Sequence, residues 1–144
     1  MSEMSDFTED ELVKHFFRTG SAAAASVMAV ALLTLAASDA DDGTFADTGT
    51  EVTNAGSYAR VDRPPLDANW SATAGGDGQT DNVAAITFTT ATGNWGTVAA
   101  IALCNNATWG AGEVYFHTAV DTSKAVNTDD TAEFAIGALT ITFA

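Results

Sequence analysis

The strongest constraint on this chain is the rhythm of its second half. Runs near 83–90, 97–104, 112–119, 123–126, 131–135 and 138–143 are rich in β-branched and aromatic residues, and Gly, Asn and Asp separate them. Alternation of apolar and polar residues is clearest in "GEVYFHTA" and "ALTITF", which places Val114 and Phe116, with Leu139, Ile141 and Phe143, on a shared inward face. Short strands at even spacing, joined by tight turns, predict a mainly β chain: an antiparallel β-sandwich or barrel-like domain. No solenoid period is visible. With 144 residues the chain is expected to form a single domain, 1–144, around one core.

The first half is less uniform. Thr8, Glu9, Asp10 and Glu11 read as a capping box, with Thr8 as the cap and Glu11 reaching back. Phe7 and Leu12 supply the matching hydrophobic staple, Lys14 and Arg18 suit the helix C-terminus, and Gly20 is a natural residue to end it. A short helix is predicted at about 9–18, with Leu12, Val13 and Phe16 on its apolar face and Phe17 at the margin. The β-rich body is then expected over about 26–144, with long loops at 38–50 and 62–82. The run "AAAASVMAVALLTLAA" at 22–37 has 16 residues, short of the ~20 that a spanning helix requires. It also follows an acidic helix rather than a basic leader segment. A buried strand near 26–36 is predicted there, with a helix as the alternative. Residues 57–62 are expected to form a short strand and 74–82 a turn.

Composition narrows the partners. Nineteen acidic residues against five basic ones give a formal net charge of −14, which repels nucleic-acid backbones and anionic membranes. The same charge favours solubility and docking on a basic partner surface. Cys104, the one cysteine, ends an apolar run and reads as a buried, inert thiol. The acidic cluster "SDADDGTFADTGTE" (Asp39, Asp41, Asp42, Asp47, Glu51) fails the spacing of a calcium loop. It is expected to be solvated, with a weak structural cation as the alternative. His15 and His117 lie in separate elements and are both expected at the surface. No nucleophile elbow, phosphate loop, dinucleotide fingerprint or other cofactor motif occurs, so neither catalysis nor a cofactor is expected. Trp70 and Trp109 sit in polar, glycine-rich contexts, where each ring needs cover from its own sheet or from a neighbouring subunit.

Four stretches, in a fixed order, carry a resemblance. "FTEDELVKHFFRTGS" is followed by "GTEVTNAGSYARV", then by "DNVAAITFTTATGNWGTVAAIAL" and "TSKAVNTDDTAEFAIGALTITF". Together they resemble a family of small tailed-phage virion proteins, often described as tail-fibre-like. The most specific pieces are Gly56 before Tyr58-Ala59-Arg60, then Trp95-Gly96-Thr97-Val98, and Phe134 with Gly137-Ala138-Leu139. The run after the helix and the stretch "RPPLDANW" depart from the family's usual pattern. The resemblance implies a non-enzymatic structural role in the virion. The favoured expectation is a capsid decoration or cement protein on the outer surface of the shell, with the major capsid protein and further copies of the chain, as a trimer or other homo-oligomer, for partners. A tail or baseplate component, either adaptor or receptor-binding knob, is the alternative. Contacts are expected from the helix, the 38–50 loop and the region 62–75, and the candidate interface residues are Phe16, Phe17, Arg60, Arg63, Trp70 and Trp109.

Overall fold

The computed structural model describes residues 3–19, 25–35, 51–72 and 78–143. In chain order the elements are β1 (Glu3–Met4), α1 (Asp6–Phe17), β2 (Ala29–Leu33), β3 (Val61–Asp62), β4 (Gln79–Asp81), β5 (Ile86–Thr87), β6 (Gly96–Cys104), β7 (Val114–Val126), β8 (Glu133–Phe134) and β9 (Thr140–Thr142). Five strands form one sheet in the order β1-β7-β6-β2-β3, and two short ladders pair β4 with β9 and β5 with β8. Among the described residues all pairings are antiparallel and there is one short helix, so the fold is mainly β, as the strand rhythm predicts.

The central strands are buried on both faces. Val30, Leu32, Val98, Ile101, Leu103 and Phe116 point to one side, where they meet Ile86, Phe88, Leu139 and Ile141 from the segments around the two ladders. The ladders are therefore the second layer of the core. Ala29, Ala31, Leu33, Ala100, Ala102, Cys104 and Val114 are fully buried on the other side. Residues buried on both faces explain why β2 reads as a continuous apolar run instead of an alternating one. Within the described part of 22–37, Ala29–Leu33 form a strand, and the register Ala29↔Cys104 through Leu33↔Ala100 locks it to β6.

Two register shifts reshape the pattern read from sequence. Between the pairs Val98↔Lys124 and Ala100↔Ala119, β6 advances by two residues while β7 advances by five. The expected strands at 112–119 and 123–126 are therefore one strand, and the bulge at 120–123 supplies the polar break that separates them in the sequence. The second shift, between Leu103↔Phe116 and Cys104↔Val114, sends Val114 to the alanine-rich face and Phe116 to the opposite one. The shared face expected for those two residues is thereby corrected.

The helix starts earlier than expected. Ser5, not Thr8, is the N-cap, and its Oγ accepts from the Thr8 N–H at 3.4 Å. Both residues are good caps, and Ser5 takes the role because the same hydroxyl also donates to the Val114 carbonyl. Thr8 lies inside the helix, where its Oγ1 donates to the Tyr115 carbonyl at 2.8 Å. Phe7 leans on Tyr115, with ring centroids 6.1 Å apart, instead of stapling to Leu12. The helix is thus tied to β7 through its first turns, while Val13, Phe16 and Phe17 remain exposed. Gly20, the expected end residue, lies outside the described residues, as do 36–50 and 73–77. Residues 79–81, expected in a turn, form β4 instead, because Gln79–Asp81 pair with Thr142–Thr140.

Asn82 joins the ladders. Its Oδ1 accepts from the Leu139 N–H at 2.9 Å, and its Nδ2 donates to the carbonyls of Ala84 at 2.8 Å and Ala135 at 2.9 Å. Asn82→Ala orphans that buried N–H and both carbonyls, and a buried unpaired group costs roughly 1–3 kcal/mol. We expect the substitution to lower the unfolding free energy by about 2–4 kcal/mol in urea titrations, more than a cavity of the same size predicts.

Candidate interaction surface

The motif "GSYAR" is built by two consecutive left-handed residues, Gly56 (φ 60) and Ser57 (φ 66). At Gly56 a Cβ would press within 3.1 Å of the Gly93 backbone, so glycine permits the close approach of the two turns. Across that approach the Gly56 carbonyl accepts from the Thr92 N–H at 3.0 Å and the Trp95 indole at 2.8 Å. The Trp95 ring meets Tyr58 edge-on, with centroids 5.3 Å apart. Two motifs separated by more than thirty residues thus form one structural unit.

Extended backbone after the turn aims Tyr58 and Arg60 inward. Arg60 grips Glu51 side-on, through Nε to Oε1 and Nη2 to Oε2, each at 2.7 Å. Its Nη1 donates to the carbonyls of Asn106 at 2.6 Å and Ala111 at 2.8 Å, and contacts the Cys104 Sγ at 3.4 Å. Glu51 also accepts from the Tyr58 hydroxyl at 3.1 Å and the Gly110 N–H at 2.9 Å, while Tyr58 accepts from the Leu32 N–H at 2.9 Å. Burial works against the Arg60 charge, but the bond to Glu51 overrides it and holds the group above its ordinary pKa. Burial, with the Glu51 charge behind it, raises the Tyr58 phenol. Burial also pushes the Cys104 thiol up to about 11, against the opposing pull of Arg60, which agrees with the inert thiol expected from sequence.

The candidate interface residues divide by burial. Arg60 is enclosed in the network just described. Trp70 is also buried, and its indole donates to the Arg63 carbonyl at 3.1 Å. Arg63 is half-buried, with Nη2 donating to the Ala85 carbonyl at 2.6 Å. Trp109 is 42% exposed, although its indole N–H is held by the Val52 carbonyl at 2.7 Å. Phe16 and Phe17 are the most open of the set, at 70% and 83% exposed. His15 is exposed as expected and lies edge-on to Phe16. His117 is buried, against expectation, because β7 is covered on both faces where it pairs with β1. Glu51 is likewise withdrawn from the expected solvated cluster, whose members Asp39, Asp41, Asp42 and Asp47 lie outside the described residues. Sequence reasoning missed the Glu51–Arg60 pair; the available signal was two opposite charges nine residues apart, Arg60 between Ala59 and Val61 and Glu51 directly before Val52.

Two concavities lie among the described residues near these side chains. A groove of about 290 Å³ is lined by Met28, Leu66, Trp70, Phe116, Ile141 and Phe143. A cleft of about 520 Å³ opens beside the β7 bulge, with Val98 and Phe134 on its floor and Thr122, Lys124, Asp130 and Glu133 at its rim.

The described residues thus form a β body whose polar and aromatic motif side chains are engaged internally, with apolar side chains left open on a helix end and a groove. The family described as Podophage GP4 fiber I protein gp80 matches residues 3–142, and the chain belongs to that family. It is therefore a tailed-phage virion structural protein. No curated protein matches the chain.

Removing one partner of the buried pair leaves the other charge stranded. Glu51→Gln is expected to cost about 3–5 kcal/mol in denaturant melts, and the joint replacement Glu51→Leu/Arg60→Met to cost less than the single one. Alkaline pH provides a second check. An unfolded thiol titrates near about 8.5, and the folded Cys104 thiol near about 11. The folded state holds that proton more tightly, so its contribution is complete below pH ~8.5 and is lost as pH rises toward about 11. Thermal melts across this range should show falling stability. Cys104→Ala should flatten the early part of the fall and leave the part that Tyr58 causes above about pH 10.

Proposed function

We propose that the chain is a non-enzymatic subunit of a virion fibre or of the assembly that anchors a fibre to the particle. The observation that carries this reading is the match through residues 3–142 to a family described by a fiber protein. The structure supports it through the distribution of its side chains. Tyr58, Arg60, Trp70 and Trp95 are consumed inside the scaffold, and large apolar groups are left outside on the helix end, in the 105–113 turn and along the groove, as well as at Leu35, Val83 and Ile136. Such a body acts by contact, with affinity multiplied where symmetry repeats weak contacts.

A capsid decoration role is the second reading. The formal charge of −14 favours it, since it suits a basic docking surface such as a shell of major capsid protein would have to present. So does the short-stranded body, which lacks a fibrous repeat.

Quantitative mass spectrometry of intact particles separates the two. A small, fixed copy number relative to the major capsid protein is expected for a fibre part. A ratio of one to one, or a simple fraction of it, would overturn the fibre reading in favour of decoration.

A further inference from the structure

We propose that copies of this chain join head to tail, the aromatic end of α1 in one copy seating in the Leu66–Trp70–Phe143 groove of the next. The inference rests on the structural reading above for its biological setting, and it names the partner as a second copy of the same chain.

The donor half is the helix end. Twelve residues of α-helix reach about 18 Å, and the ties through Ser5, Phe7 and Thr8 hold only the first turns to β7. Beyond them Val13, Phe16 and Phe17 are 51%, 70% and 83% exposed, and the two phenylalanine rings stand 6.4 Å apart. Each aromatic side chain offers roughly 150–250 Å² of surface for burial. Two adjacent open rings are a concentrated contact point rather than scattered exposure.

The acceptor half is the groove. Trp70 forms its base, fixed by the indole bond to Arg63, and Phe116 and Phe143 meet edge-on beside it, with centroids 5.3 Å apart. Leu66 and Phe143 remain 58% and 47% exposed at its lips. No α1 residue lines the groove, so a copy's own helix does not fill it.

Charge selects the occupant. Only five basic residues oppose nineteen acidic ones, and two of the five, Lys14 and Arg18, flank the phenylalanines on the helix end. Arg60 is buried, Arg63 half-buried and Lys124 exposed on β7, away from both halves; Lys14 is ion-paired with Glu11 at 2.9 Å, so Arg18 carries the positive charge at the tip of the helix. The groove carries Asp67 on its lining. A second copy therefore supplies the complement to each half: an aromatic knob bearing Arg18 for an apolar groove bearing Asp67, placed where like-charge repulsion between copies would otherwise be felt. Because knob and groove are different surfaces, the contact is heterologous, and it either closes into a ring or extends as a row of subunits. Two phenylalanines bury roughly 300–500 Å², below the ~800 Å² per partner of a standard interface. The contact is thus weak between free copies and strengthened by repetition on the particle.

Sedimentation equilibrium over a concentration series tests this with the full chain. Wild type is expected to self-associate reversibly. The knob variant Phe16→Ser/Phe17→Ser and the groove variant Leu66→Glu, all at exposed positions, should each weaken association at least tenfold while keeping the wild-type far-UV circular dichroism. Should the double variant lose that spectrum, Phe17→Ala replaces it. Mixing the knob and groove variants should restore a one-to-one heterodimer and nothing larger, since each retains the half that the other lacks. A monomeric wild type, an unweakened knob variant, or a mixture without heterodimer would overturn the head-to-tail contact. None of these outcomes touches the fibre assignment, which the copy number per particle decides independently.

Discussion

The buried pair between Arg60 and Glu51 is the constraint on which the arrangement of the connecting segments depends. Removing a guanidinium and a carboxylate from water is unfavourable unless every donor and acceptor finds a partner. Here the partners come from distant parts of the chain: the Asn106 and Ala111 carbonyls, the Gly110 N–H, the Tyr58 hydroxyl and the Cys104 sulfur. Tyr58 carries the linkage to the Leu32 N–H, and the Val52 N–H next to Glu51 bonds the Leu32 carbonyl. The segment from Glu51 to Arg60, the centre of β2 and the turn at 105–113 therefore have a common geometry. Displacing any one of them leaves a charge or a peptide group unsatisfied in the interior. The net energy of such a pair is small, but its tolerance for alternative geometries is smaller still.

Around this anchor the sheet separates large from small side chains. On the face that meets the ladders, Leu32, Ile101, Leu103 and Phe116 fill volume against Ile86, Phe88, Leu139 and Ile141. On the opposite face, alanines at 29, 31, 100 and 102 keep the surface low and fully buried. The β7 bulge lies where this ordered packing ends. Past Val120, which still packs on the core, the strand is exposed up to Val126, and the cleft beside Phe134 opens there. An inserted stretch of strand twists and bends the ladder locally, so the bulge sets the end of the two-sided core and the start of solvent-facing surface.

Much of this was legible in the sequence, where one rule governed a segment at a time. The C-terminal strands follow from alternation and turn residues, and β2 follows from the density of its apolar run. The failures occur where two rules compete. Ser5 and Thr8 are both good caps, and tertiary bonds to β7, which no local pattern encodes, decide between them. His117 follows Phe116 in a strand whose alternation reads as one wet face, yet both residues are buried there. Glu51 closes an acidic run and looks solvated, until Arg60 is brought against it by the positive φ angles at Gly56 and Ser57. The candidate interface residues show the same limit. Sequence marks Arg60 and Trp70 as conspicuous side chains in a polar stretch, but it cannot tell a conspicuous residue that faces out from one on which the interior is built.

That distinction explains how an acidic β body can be an assembly component. Of its large polar-tipped aromatics, Tyr58, Trp70 and Trp95 are buried with their polar atoms bonded, and they give the scaffold rigidity rather than contact. Rigidity matters at an interface because side chains already fixed lose little further entropy on docking. The helix end is the opposite case: it is held only at its base, apolar at its tip and basic on its flanks, in a chain otherwise dominated by carboxylates. A uniform charge of −14 would keep copies apart. In the head-to-tail contact proposed above, Arg18 beside two open phenylalanines would relax that repulsion at one spot and leave it in force elsewhere. Under that proposal, negative charge over the remaining surface would serve specificity by disfavouring other modes of contact between copies.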